Sequence, residues 1–256
     1  MAEEETIGPP KISFPTFLLK ILAALAGGII GAVILLVIFF LASSLLTPLT
    51  SADEYISPIF IFILMMMIFI ASTVGNLLST FLLSLTESEK YKRISSTIYQ
   101  VFIISLIIFI LMVPVYFITA TINIGIVAYA VALHIIISAQ VSALILEIVS
   151  NYKYSLVGVY GVTFSVLLSA GIMFGMASIV ESPTILLFAA LPVVWGSIGF
   201  IGSIVSMVYG WIARIYDKDF LSTQTLYGAD YDKEVEVSEE PKAEDEEGAE
   251  FLRKNR

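Results

Sequence analysis

The chain has 256 residues, 58% hydrophobic and only 14% charged, and long apolar runs recur between small clusters of charge. That composition predicts an all-α, polytopic membrane protein and excludes an ordinary soluble domain. The net charge of −9 and the lack of any basic stripe exclude a nucleic-acid binder, and the absence of cysteine excludes disulfides, thiolate metal sites, Cys nucleophiles and cysteine lipidation.

Residues 1–15 are polar and acidic, with Pro9, Pro10 and Pro15, and read as an extended lead-in ahead of a helix that starts near Thr16. A signal peptide would be basic here and its apolar run shorter, so no cleavage is expected. The first span is predicted over 17–45. Lys20 near its start is expected to snorkel towards the headgroups. Ala23, Gly27 and Gly31 form one stripe of small residues, and Ala24, Gly28 and Ala32 form a second beside it. In lipid, where apolar side chains gain little by leaving the hydrocarbon, such stripes let backbones approach and gain van der Waals contact, here inside the bundle.

A turn over Thr47–Ser57, with Pro48, Asp53 and Glu54, leads into a second span at 56–84. Its first half is apolar all round, whereas its second half sets Ser72, Thr73, Asn76, Ser79, Thr80 and Ser84 at helical spacing. An unpaired amide in hydrocarbon is costly, so Asn76 is expected to bond another helix or water, with interhelical bonding favoured over a solute pathway. The segment TESEKYKRISS, 86–96, carries Thr86 and Glu89 at capping-box spacing and reads as the start of a helix. The third span, 95–119, contains Gln100 and Pro114, and only Thr121–Asn123 separate it from the fourth, at 125–149. The two are predicted to form a tight antiparallel hairpin.

The fourth span holds the one His of the sequence. His134, Ser138 and Ser142 share one helical face, and Gln140 and Glu147 share another, with Glu147 near enough to the basic end to be wetted. A neutral, hydrogen-bonded imidazole is favoured over a proton relay. No second His or Cys stands near to complete a metal site, so neither a metal nor any other cofactor is expected. The fifth span, 155–180, repeats the small-residue theme with Gly158, Gly161, Ser165 and Ser169, and with Gly171 and Gly175, which predicts close packing on two sides. The sixth, 185–213, is kinked at Pro192 and then nearly bare along one side: Gly196, Gly199, Gly202, Ser203, Ser206 and Gly210. This helix is expected at the centre of the bundle. Tyr209, Trp211 and Tyr216 beside Arg214 form an interfacial belt. The transmembrane domain, 16–220, is followed by 221–256, which holds most of the remaining acids, lacks an apolar face and reads as a disordered tail.

With six spans and a cytosolic N-terminus, all 13 basic residues fall on one side. The positive-inside rule then places both termini in the cytosol, leaves three short outer turns, and suits a prokaryotic cytoplasmic membrane. Walker, dinucleotide-glycine, HExxH and GxSxG motifs and paired intramembrane carboxylates are all missing, so an enzyme is not expected; a Ser–His dyad needs Ser165, Ser169 or Ser197 against His134. Two classes remain. A non-catalytic scaffold or assembly subunit, with almost no buried charge, meets lipid and a protein partner in the membrane or at the cytosolic face. The alternative is a small transporter with a pathway lined by Asn76, His134 and Ser138 and gated near Pro114 or Pro192.

Overall fold

The computed structural model describes residues 13–50, 57–88, 90–91, 93–122, 124–150, 154–180 and 183–215. Helix α1 spans Phe14–Thr50, α2 Pro58–Thr86, α3 Ile94–Ile122 and α4 Ile124–Ile145, the last continuing as a π-turn over Leu146–Ser150; α5 spans Ser155–Ile179 and α6 Pro183–Ile215. Each helix contains a stretch long and apolar enough to cross a membrane. The chain is therefore an integral, multi-pass membrane protein whose bundle contacts the lipid bilayer. The lead-in 1–12 and the tail 221–256 lie outside the described residues, as do Asp53, Glu54, Glu89 and Tyr216.

Local chemistry explains the helix ends. Ser13 starts α1: its hydroxyl accepts the backbone N–H of Thr16 at 3.3 Å and sits 2.8 Å from the Thr16 hydroxyl. Ser57 caps α2 by accepting from the Ile59 N–H, with Pro58 in the first turn, where a missing donor is harmless. Two expectations are corrected at these ends. Helix α1 continues through Pro48 to Thr50, beyond the predicted turn at Thr47. Thr86 closes α2 instead of capping α3, because its hydroxyl donates to the Leu83 carbonyl at 2.7 Å, three residues back being near enough for the side chain to fold onto its own helix.

Helix α1 is wedged between α2 and α6; α6 also carries α5, and the α3–α4 hairpin closes the far side of α2. The centre lies where α2, α4 and α6 meet, so the expected central place of α6 is shared with α2 and α4, while α1 presents one side outwards. The two small-residue stripes of α1 serve different neighbours. On the α2 side, a Cβ added at Gly27 would run into Ser79, and one at Gly31 would lie 2.9 Å from Gly75 Cα. On the α6 side, a Cβ at Gly28 would lie 2.8 Å from the Leu191 carbonyl oxygen and 2.9 Å from Pro192 Cα.

Along α6, a Cβ at Gly199 would meet Ala24 Cβ at 2.8 Å and one at Gly196 would meet Leu25 at 3.1 Å, whereas one at Gly202 would meet nothing within 4 Å. The crowding at Gly202 belongs to its neighbour: a Cβ at Gly161 of α5 would lie 2.9 Å from Gly202 Cα. Ser203, Ser206 and Gly210 are buried, and the Ser203 hydroxyl donates to the Gly199 carbonyl at 2.7 Å. Helix α5 departs from expectation in its second half. Gly171 and Gly175 face open space, and no residue from 170 to 179 is buried, so close packing is confined to the half of α5 that holds Gly158 and Gly161.

Candidate functional site

Polar side chains gather in two places: a seam at depth between α2, α4 and α6, and a cluster of charges at the end of the bundle that carries Lys90. Asn76, fully buried on α2, anchors the seam. Its amide donates to Ser138 Oγ of α4 at 2.7 Å, and its carbonyl oxygen accepts the Trp195 indole N–H of α6 at 2.9 Å. One amide therefore ties three helices together. The Asn76–Ser138 pair also sets the register of α2 on α4. Both helices run in the same direction, so one turn on, Thr80 lies level with Ser142, and one turn back, Ser72 lies level with His134.

The other polar residues of α4 go to different partners. His134 Nδ1 shares a 3.1 Å hydrogen bond with the Tyr116 hydroxyl of α3, and the two rings meet edge to face. Ser142 donates to the Ser138 carbonyl at 2.7 Å. Gln140 accepts from Ser165 of α5 at 3.1 Å. The predicted His134–Ser138–Ser142 face is thus divided: Ser138 meets Asn76, while His134 turns to α3. Ser165 and Ser169 also donate to carbonyls of their own helix, and the Ser197 hydroxyl is buried without a partner, so among the described residues there is no Ser–His dyad. The seam is not fully satisfied. The hydroxyls of Ser72, Thr73, Thr80 and Ser197 and the amide nitrogen of Gln140 are buried without a hydrogen-bond partner.

The charge cluster was not foreseen from the sequence, and it corrects three expectations. Lys20 does not snorkel: it is 3% exposed and its ammonium sits 2.8 Å from Glu87, just beyond the end of α2. Glu147 is not wetted: it is 6% exposed, 3.1 Å from the Lys90 ammonium, and accepts the Tyr91 hydroxyl at 2.6 Å. Buried charge is therefore a feature of this fold. Lys90 also donates to the Tyr91 oxygen at 2.9 Å and lies 3.9 Å from Glu87. Among the described residues two ammonium groups thus face two carboxylates, and pairing is what makes such burial tolerable. Burial, and after it the Glu147 and Glu87 carboxylates, push the Tyr91 phenol well above its usual range, so it remains a protonated donor.

Two backbone features make room for Glu147. It lies in the π-turn that ends the fourth span, and it projects against Gly158 of α5, where any Cβ would collide with the carboxylate. Gln140 on α4 and Glu147 on the π-turn, about two turns apart along the fourth span, both face α5, against Ser165 and Gly158 respectively. The sequence carried a faint signal of this cluster: a Lys inside the first span, a Glu inside the fourth, and a connection rich in charge between the second and third. Spacing along one helix cannot show that they converge.

Among the described residues no three His, Asp or Glu side chains gather as metal ligands. No family model matches this chain, and no curated protein or solved structure matches it either.

Proposed function

We propose that this protein is a non-catalytic membrane scaffold or assembly subunit, whose helices pack through small residues and whose acidic tail is offered to a protein partner. The observation that carries this reading is the use of polar groups at depth. Asn76 spends both ends of its amide on Ser138 and Trp195, and His134 is closed in by Tyr116, so the groups a carrier would present to a solute are turned on one another. The gathering of basic residues at the Lys90 end supports cytosolic termini under the positive-inside rule and suits a prokaryotic cytoplasmic membrane. In proteoliposomes the protein should support no solute or proton flux. A flux that collapses in His134→Gln would refute the proposal.

A transporter remains the second reading because of one observation: Ser72, Thr73 and Thr80 leave unpaired hydroxyls along the α2–α4 seam, where a polar solute would find acceptors and donors. It requires Asn76→Ala to impair any such flux, because the same seam would line the path.

A further inference from the structure

Glu87, Lys90 and Tyr91 sit in the connection between α2 and α3, where side chains ordinarily face water, yet all three turn inwards. Their partners lie on other elements: Lys20 on α1 and Glu147 on the π-turn of the fourth span, itself held against Gly158 of α5. The connection is therefore strapped across the end of the bundle by charge. Directly beneath, less than two turns back along α2, Thr80 has a buried hydroxyl with no partner, and Ser150 at the end of the π-turn has another.

We propose that the Lys20–Glu87 and Lys90–Glu147 pairs are a releasable latch, which holds the α2–α3 connection closed over the polar seam and on opening admits water as far as Thr80. The choice of charge over apolar contact is the physical argument. An apolar strap is held shut by the area it buries, and opening it forfeits that whole free energy. A strap held by ion pairs differs, because lysine and glutamate released into water recover the hydration they lost on burial, which offsets the lost pairing. Such a closure is specific in geometry yet inexpensive to open. The π-turn fits this role, since one-turn π-bulges recur at functional positions and here the turn aims Glu147 at the strap. The inference holds whether the bundle serves as a scaffold or as a carrier.

The lack of cysteine makes the test direct, because each introduced thiol is the only one in the chain. Thr80→Cys and Ser72→Cys place single thiols at the two ends of the seam. In nanodiscs, open to reagent from both faces, an impermeant maleimide should label both slowly. Adding Lys90→Gln, which takes one cation away from the Glu147 carboxylate, should speed labelling at Thr80→Cys by roughly tenfold or more while leaving Ser72→Cys unchanged. Unchanged labelling at Thr80→Cys, or equal acceleration at both sites, would overturn the latch: the first means a fixed staple and the second a loosened bundle. If Lys90→Gln does not fold, hydrogen exchange of the unaltered protein decides. The amides of Lys90 and Tyr91 should then exchange through a local opening, far faster than those around Asn76, and equal protection overturns the proposal.

Discussion

Trp195 and Asn76 offer the most quantitative check of the buried seam. Trp195→Phe keeps an aromatic ring but removes the indole N–H, so the Asn76 carbonyl oxygen loses its donor in a site closed to bulk solvent. Interhelical hydrogen bonds in membranes contribute about 0.6 kcal/mol on average and up to about 1.7. An orphaned buried acceptor costs roughly 1–3 kcal/mol. The smaller ring adds a cavity, so a total loss of roughly 2–3 kcal/mol is expected for Trp195→Phe. Asn76→Ala should cost a similar amount, because it leaves both Ser138 Oγ and the Trp195 N–H without their amide partner. The diagnostic quantity is the coupling between the two changes. Once the amide is gone the indole N–H has nothing to lose, so the double variant should be more stable than the sum of the single losses predicts, by about 1 kcal/mol. Reversible unfolding in mixed micelles, titrated with a denaturing detergent, reads all four corners of the cycle. Coupling under about 0.3 kcal/mol, the ordinary error of additivity, would show that the bond contributes nothing and that the seam is not what holds α2 to α6.

The glycines predict a pattern that composition does not. Gly27→Ala should destabilise by about 1–3 kcal/mol, more than the helix-propensity gain of about 1 kcal/mol, because the new methyl meets Ser79; Gly202→Ala and Gly171→Ala, whose Cβ positions are open, should be neutral or stabilising in the same unfolding assay. Thr80→Val deletes a buried hydroxyl that has no partner while keeping the shape, so it should raise stability by about 1 kcal/mol, and a loss of that size would mean that the closed seam already holds water. Reporters fused after Arg256 and inserted at Lys92 should be cytosolic, and a tag at Asp53 external; an external C-terminus would overturn the orientation.

The fold class was legible because its signal is coarse: six apolar stretches punctuated by charge, proline and small polar residues, each long enough to span lipid. The stripes of α1 were legible too, since a repeat of four residues is a face on any helix. Which neighbour each stripe meets was not, because Gly75 and Ser79 on α2, or Leu191 and Pro192 on α6, become partners only when the bundle closes. Asn76 illustrates the same limit: its need for a partner follows from the cost of a bare amide, but Trp195 lies 119 residues away and nothing local selects it. Lys20 and Glu147 were misread for a different reason. Snorkelling and wetting are sound defaults for a lone charge near a helix end, and they fail when two opposite charges on other elements arrive within reach.

The packing stripe and the charge cluster are not independent features of this fold. The position that crowds Gly199 is formed by Ala24 Cβ, by Ile21 Cα and by the backbone carbonyl of Lys20, whose oxygen would lie 3.1 Å from an added Cβ. Gly199 thus brings α6 against the very turn of α1 from which Lys20 reaches Glu87. A side chain at that position would push the turn outwards, and a lysine drawn away from a buried carboxylate loses its ion pair long before it regains water. Bare glycine on α6 is therefore a condition for placing an ammonium within the bundle, and the same close approach that holds α1 between α2 and α6 also sets where the latch can close.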